Sequence, residues 1–171
     1  MKNITATYKN RELTFIKDGT STEIGKIIYG KNKQPRLILD ENEYSIVRTS
    51  KNEIQIFKNN EKIDSLNKDK IFGNYQFKNS TYQIKGISSW KGGTKLVDKE
   101  NETILSIQNK SSLLDKGIYN IQLNNKVDSL FILLSLHIHI EASKTKTLAA
   151  VVSSSIASLF VVQKFIFPHF N

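Results

Sequence analysis

The chain has 171 residues, 39% hydrophobic and 24% charged, which suits one domain with a sizeable core and leaves little room for two. It has no cysteine, so disulfides, thiolate metal sites and a cysteine nucleophile are excluded. Lys and Arg number 25 against 16 Asp and Glu, a net charge of +9 that draws the chain toward anionic partners.

Arg occurs only at Arg11, Arg36 and Arg48, and Arg is the side chain best suited to bidentate phosphate and base contacts, so specific nucleic-acid recognition is disfavoured. The opening MKNITATYKN lacks the apolar region of a secretory signal, and a cytoplasmic location is expected.

From the N-terminus to about Leu123, apolar residues alternate in short runs, the period-2 mark of half-buried strands. Strands are expected over Ile4–Lys9, Leu13–Lys17, Ile24–Tyr29, Arg36–Leu39, Tyr44–Arg48, Glu53–Lys58, Lys62–Leu66, Tyr75–Lys78, Thr81–Ile87, Lys95–Asp98, Thr103–Ile107 and Ile118–Leu123. Clusters such as Lys17-Asp18-Gly19, Asn59-Asn60 and Lys99-Glu100-Asn101 separate them. Asn and Gly tolerate the positive φ of tight hairpin turns, so the pattern predicts an antiparallel meander. Pro35 precedes the fourth strand, where a missing N–H does little harm. Asn60–Leu66 and Asn101–Ile107 resemble each other faintly, as two hairpin return strands would.

The stretch Asp128 to Ala142, DSLFILLSLHIHIEA, breaks this rhythm. Asp128 is a candidate N-cap, and Leu130, Phe131, Ile132, Leu133, Leu134, Leu136, Ile138 and Ile140 cover every face of a helical wheel. The competing reading is a strand, because Leu136, Ile138 and Ile140 alternate with His137, His139 and Glu141. A helix that is apolar all round must be buried all round. Wrapping the sheet around it would do so, and about 14 helical residues span roughly 21 Å, close to the length of a six-residue strand. The expected fold is mainly β: a closed antiparallel barrel of about twelve strands around a central hydrophobic helix over 128–142, occupying 1–143.

Tyr82-Gln83-Ile84-Lys85-Gly86, Trp90-Lys91, Lys95-Leu96-Val97-Asp98, Ile104-Leu105-Ser106-Ile107, Gly117-Ile118-Tyr119-Asn120-Ile121 and Val127-Asp128-Ser129-Leu130-Phe131 follow one another in an order that resembles the LURP-one-related members of the tubby C-terminal-like superfamily, which also includes phospholipid scramblases. The resemblance covers residues 81 to 142 well and the first half by strand rhythm. It implies an Asp-headed apolar helix threading a twelve-stranded barrel. Functionally it implies lipid: tubby domains bind phosphoinositides through basic surface residues, and scramblases are tied to lipid movement. The chain departs from the scramblase pattern in having no acidic calcium-binding run beside its apolar helix.

After Ser143 comes a second apolar stretch, Thr147 to Phe167, within a segment 144–171. As a helix it would span about 31 Å, the thickness of a bilayer core. Lys144, Lys146, Leu148, Val151, Val152, Phe160, Lys164 and Phe165 are its candidate membrane contacts, with the flanking lysines holding the barrel on the cytoplasmic face. The alternative is a helix packed on the barrel.

Little points to catalysis. His137 and His139 are two apart, the wrong spacing for a shared metal on a helix. Asp40-Glu41-Asn42-Glu43 and Asp98-Lys99-Glu100-Asn101-Glu102 read as turns before they read as cation sites. Trp90 reads as barrel packing or an exposed tip. No phosphate-cradling loop or nucleophile elbow occurs. The expectation is a non-enzymatic, membrane-associated barrel that binds anionic lipid headgroups, without metal, cofactor or small-molecule substrate. A structural or protein-interaction module with a membrane-localising tail is the alternative, and a lipid-moving protein stands behind both.

Overall fold

A computed structural model describes residues 2–9, 13–18, 23–30, 34–87, 92–110 and 117–144. Twelve strands follow in order: β1 Lys2–Lys9, β2 Leu13–Asp18, β3 Glu23–Ile28, β4 Arg36–Leu39, β5 Asn42–Ser50, β6 Glu53–Lys58, β7 Glu61–Lys68, β8 Tyr75–Phe77, β9 Gln83–Gly86, β10 Thr94–Val97, β11 Thr103–Asn109 and β12 Ile118–Leu123. One helix, α1, covers 129–144.

Each strand pairs antiparallel with the next, and β12 returns to β1 through a ladder from Lys2↔Leu123 to Thr7↔Ile118, making a closed barrel. Turn chemistry accounts for the hairpins. Asn59 and Asn60 both have positive φ, at 50° and 67°, the signature of a two-residue type I′ connection between β6 and β7. Asp40 and Asn101 sit in the same left-handed region, which short polar side chains tolerate.

The expectation of a closed antiparallel barrel of about twelve strands is corrected at one seam. The sheet is thin at one seam: β8 and β9 share only Tyr75↔Ile84 and Gln76↔Gln83, and β8 has three residues where four were expected. The turn is closed locally: the Gln76 side-chain amide donates to the carbonyls of Phe77, Ser80 and Tyr82 at 3.1 to 3.3 Å, and the Tyr82 carbonyl also accepts the Phe77 N–H at 3.3 Å, so side-chain bonds take over where the strand pair ends. The expected apolar helix over 147–167 lies outside the described residues. Among the described residues no helix is long and apolar enough to cross a membrane.

The chain divides into two compact units, Met1–His137 and Ile138–Asn171. In the first, inward positions of the strands form the core: Ile4, Ile27, Leu37, Ile54, Ile56, Leu66, Phe77, Ile84, Leu96, Leu105 and Tyr119 are all buried. The helix begins as the sequence suggests. Asp128 Oδ1 accepts the Leu130 N–H at 2.8 Å, and the Asp128 carbonyl accepts the Phe131 N–H at 3.0 Å, so an N-cap meets two of the donors that a helix start leaves unpaired. From 132 to 140 every residue is buried, nine in succession, which a helix achieves only when no face meets water.

Within the first unit the helix has a clear direction. Phe131 packs edge-on against Phe77 and Tyr82, each at 4.9 Å between ring centroids. His137 lies stacked by Tyr29, just beyond β3, and its Nδ1 is 3.0 Å from the Tyr29 hydroxyl. Ser135 Oγ is buried without a hydrogen-bond partner. In the second unit Ile138, His139 and Ile140 are buried, and Lys144 and Glu141 form an i,i+3 ion pair at 3.6 Å.

Close approach between sheet and helix depends on Gly25 in β3. A Cβ there would fall 2.7 Å from the Ile38 carbonyl oxygen and from Leu39 Cδ2, and 3.1 Å from Leu133 Cδ1. Gly25→Ala is therefore expected to destabilise the protein by about 1–3 kcal/mol, the usual cost of overpacking, read as a lowered denaturation midpoint. Asp128→Ala, which removes only the cap, is expected to cost about 1 kcal/mol in the same measurement.

Candidate functional site

An antiparallel meander sends successive connections to opposite ends of the strands. The two ends here differ in charge. One carries the connections β4–β5, β6–β7, β8–β9 and β10–β11, with Asp40, Glu41, Asp98, Glu100 and Glu102, and then Asp128 after β12, against Lys78, Lys99 and Lys126. The other carries β5–β6 and β7–β8, with Lys51, Lys68 and Lys70 among the described residues, and Lys110 after β11.

The acidic clusters behave as turns. Asp98 Oδ1 accepts the backbone N–H groups of Glu100 and Glu102 at 3.0 and 2.9 Å, and Glu43 pairs with Arg36 at 3.0 Å. Among the described residues no group of three or more His, Asp or Glu is placed to hold a metal ion.

At the basic end the β7–β8 connection, Asp69-Lys70-Ile71-Phe72-Gly73-Asn74, carries two exposed large hydrophobic residues, Ile71 at 83% and Phe72 at 80%. Their presentation is fixed from below. Asp69 Oδ1 accepts the N–H groups of Ile71 and Phe72 at 2.7 and 3.0 Å. Asp69 Oδ2 accepts that of Asn74 at 3.4 Å, and the Asp69 N–H donates to the Asn74 carbonyl at 2.8 Å. Gly73 supplies φ +70° to turn the chain back, a conformation that most side chains resist.

Three lysines belong to this loop and to the strand end and turn beside it. Lys70 is within the loop. Lys68 lies at the end of β7 with its Nζ 5.6 Å from the Tyr75 ring centroid. Lys51 is brought alongside because the Lys68 N–H donates to the Asn52 carbonyl at 2.7 Å, tying the β5–β6 turn to β7.

The carboxylates at this end are occupied. The Phe72 and Ile71 amides hold the Asp69 carboxyl below its ordinary pKa, because bonds to the charged form favour it. Glu53 is likewise lowered, first by the Gln55 side chain and then by Thr49, and Lys62 stands 3.9 Å away.

The residues that the sequence nominated lie elsewhere. Asp128 caps α1; Leu133, Leu134, Leu136 and Ile138 are buried, and Leu130 and Phe131 are half-buried. Asp128 does structural work at the exposed helix start, and the buried four belong to packing. Lys144 ends the described helix and pairs with Glu141. Lys146, Leu148, Val151, Val152, Phe160, Lys164 and Phe165 lie outside the described residues, as does Trp90. The Ile71-Phe72 tip went unnoticed in the sequence, although an Asp two and three residues before an apolar pair, with Gly following, is a turn that exposes the pair.

No family model matches the chain, and no curated protein does. Among solved structures the chain is similar to the X-ray structure of a protein from Arabidopsis thaliana, AT5G01750, with a TM-score of 0.58, 12% sequence identity, and coverage of 83% of this chain and 92% of that one. At that identity the likeness is one of fold.

Two changes probe the loop. Asp69→Ala is expected to leave the global fold intact while abolishing the slow amide exchange of Ile71 and Phe72. In the unaltered protein, a depressed carboxylate gives order that is complete above the usual Asp pKa and is lost as pH falls through the lower folded-state value. Protection of the two amides should therefore persist on mild acidification and vanish only below the ordinary Asp range, as followed by hydrogen exchange.

Proposed function

We propose that the protein is a non-catalytic barrel that docks on anionic membrane surfaces through its basic end, with Ile71 and Phe72 entering the interface and Lys51, Lys68 and Lys70 engaging headgroups. The observation that carries this reading is an exposed apolar pair on a loop braced by Asp69, with lysines in the loop and at the adjoining strand end and turn. Scattered exposed apolar residues need no explanation. A preorganised adjacent pair at an end rich in lysine is a different arrangement.

Magnitudes favour a joint mechanism. Burying two such side chains is worth about 3–6 kcal/mol, and three lysines near an anionic surface add about 1 kcal/mol each. Together they amount to about 6–9 kcal/mol, most of which the loss of freedom on binding offsets, so a weak, reversible attachment remains. Neither contribution alone would hold the protein at a membrane, so anionic lipid and apolar insertion are both required.

The order of motifs over 81–142 and the likeness to the Arabidopsis structure support placing the chain with the LURP-one-related branch of the tubby-like superfamily. The segment 144–171 is proposed as a second, independent membrane element, which follows in sequence from the helix whose residue His137 lies next to Tyr29.

The absence of cysteine makes a clean test available: Phe72→Cys labelled with an environment-sensitive dye. With phosphatidylserine vesicles at low salt the emission is expected to shift to the blue. The shift should disappear with neutral vesicles and weaken at high salt, since screening removes the lysine contribution. In flotation, Ile71→Ser with Phe72→Ser should lose roughly tenfold or more in affinity. An unchanged dye signal in the presence of bound vesicles would show that the tip stays in water and overturn the reading.

A further inference from the structure

The outer surface of β11, β12 and β1 differs from the rest of the barrel. The register places Asn3 opposite Gln122 and Thr5 opposite Asn120, and Gln122 opposite Ser106 and Asn120 opposite Gln108. These six outward residues form a grid two deep and three strands wide, about 10 Å by 7 Å from the spacings of a sheet. They line a surface cavity of about 300 Å³. None is ionisable, in a chain of which 24% is charged, whereas the outer surface of neighbouring β9 and β10 sets Lys85 directly opposite Lys95.

The chemistry of the grid is specific. Two Asn and two Gln side chains each offer a carbonyl acceptor and an NH₂ donor, and Thr5 and Ser106 each offer a hydroxyl that does both. Among the described residues, the six side chains make no hydrogen bond within the protein. The nearby amide Asn124, by contrast, is used internally, donating to the Thr103 carbonyl at 2.9 Å. The six residues themselves supply no cation, carboxylate or aromatic ring, although the register sets Lys95 opposite Ser106 and Lys17 opposite Thr5 at the two edges of the grid. What it matches is a ligand whose closely spaced groups are themselves donors and acceptors without charge.

We infer that this cavity is a binding site for a neutral, hydroxyl-rich ligand of saccharide type, one or two sugar rings in size. Its hydroxyls would replace the waters that otherwise satisfy the amides, an exchange that holds affinity only when each displaced hydrogen bond is remade. The volume sits at the lower bound for small-molecule sites. In the strand order β1 and β7 lie half a circuit apart, so the grid is remote from the β7–β8 tip. The inference therefore stands whether or not the tip meets a membrane.

The test is a titration of the full-length, ¹⁵N-labelled protein with a panel of neutral mono- and oligosaccharides, reading the side-chain amide signals of Asn3, Gln108, Asn120 and Gln122. At least one neutral saccharide is expected to shift these signals together and saturably. Asn120→Ala with Gln122→Ala, both at exposed positions where substitutions leave stability nearly unchanged, should weaken the response at least roughly tenfold. Three outcomes would overturn the inference: no coordinated shift with any neutral saccharide, a shift that survives the double substitution, or a response confined to phosphorylated or sulfated sugars and removed by Lys95→Gln.

Discussion

Everything else in this protein depends on disposing of a helix that has no polar side. Residues 132 to 140 are buried without interruption, and a single sheet face can cover only part of such a cylinder. Within the first unit the strands enclose its part up to His137 by the simplest path, each beside its predecessor with β12 meeting β1. The contact is tight enough that β3 has a glycine where any side chain would strike both the neighbouring strand and Leu133.

The same path separates the charges. Because a meander returns at alternate ends, the sign of each connection decides which end it marks, and no long-range arrangement is needed to make one end acidic and the other basic. Asp69 illustrates how the basic end keeps its sign. Its carboxylate is consumed by three backbone amides, and in being consumed it sets the posture of Ile71 and Phe72. A structural debt and a surface property are thus met by one side chain.

Much of the fold was legible in the sequence because its determinants are local. Alternation gave the twelve strands, Asn59-Asn60 gave a hairpin turn, and Asp128 gave the helix start. The thin β8–β9 seam was not legible, since it rests on where the Gln76 amide points, which no periodicity encodes. The exposed tip was missed for a different reason: Ile71 and Phe72 look in sequence like candidates for the core, and only the Asp69 turn reveals that they face outward. The polar grid was the least accessible. Its members are spread from Asn3 to Gln122, and they become neighbours only through the closing register. The apolar run over 147–167 lies outside the described residues.

That closing register also dictates when the chain can fold. The ladder that completes the barrel joins residues 2–7 to residues 118–123, and the helix that fills it follows later still. During synthesis, the first strand must wait with one edge unpaired until β12 has been made, and contacts so distant in sequence form slowly. A growing chain of β-strands with an open edge is a template for unwanted pairing. The interval between β1 and β12 is therefore the period in which the nascent strands are most open to mispairing.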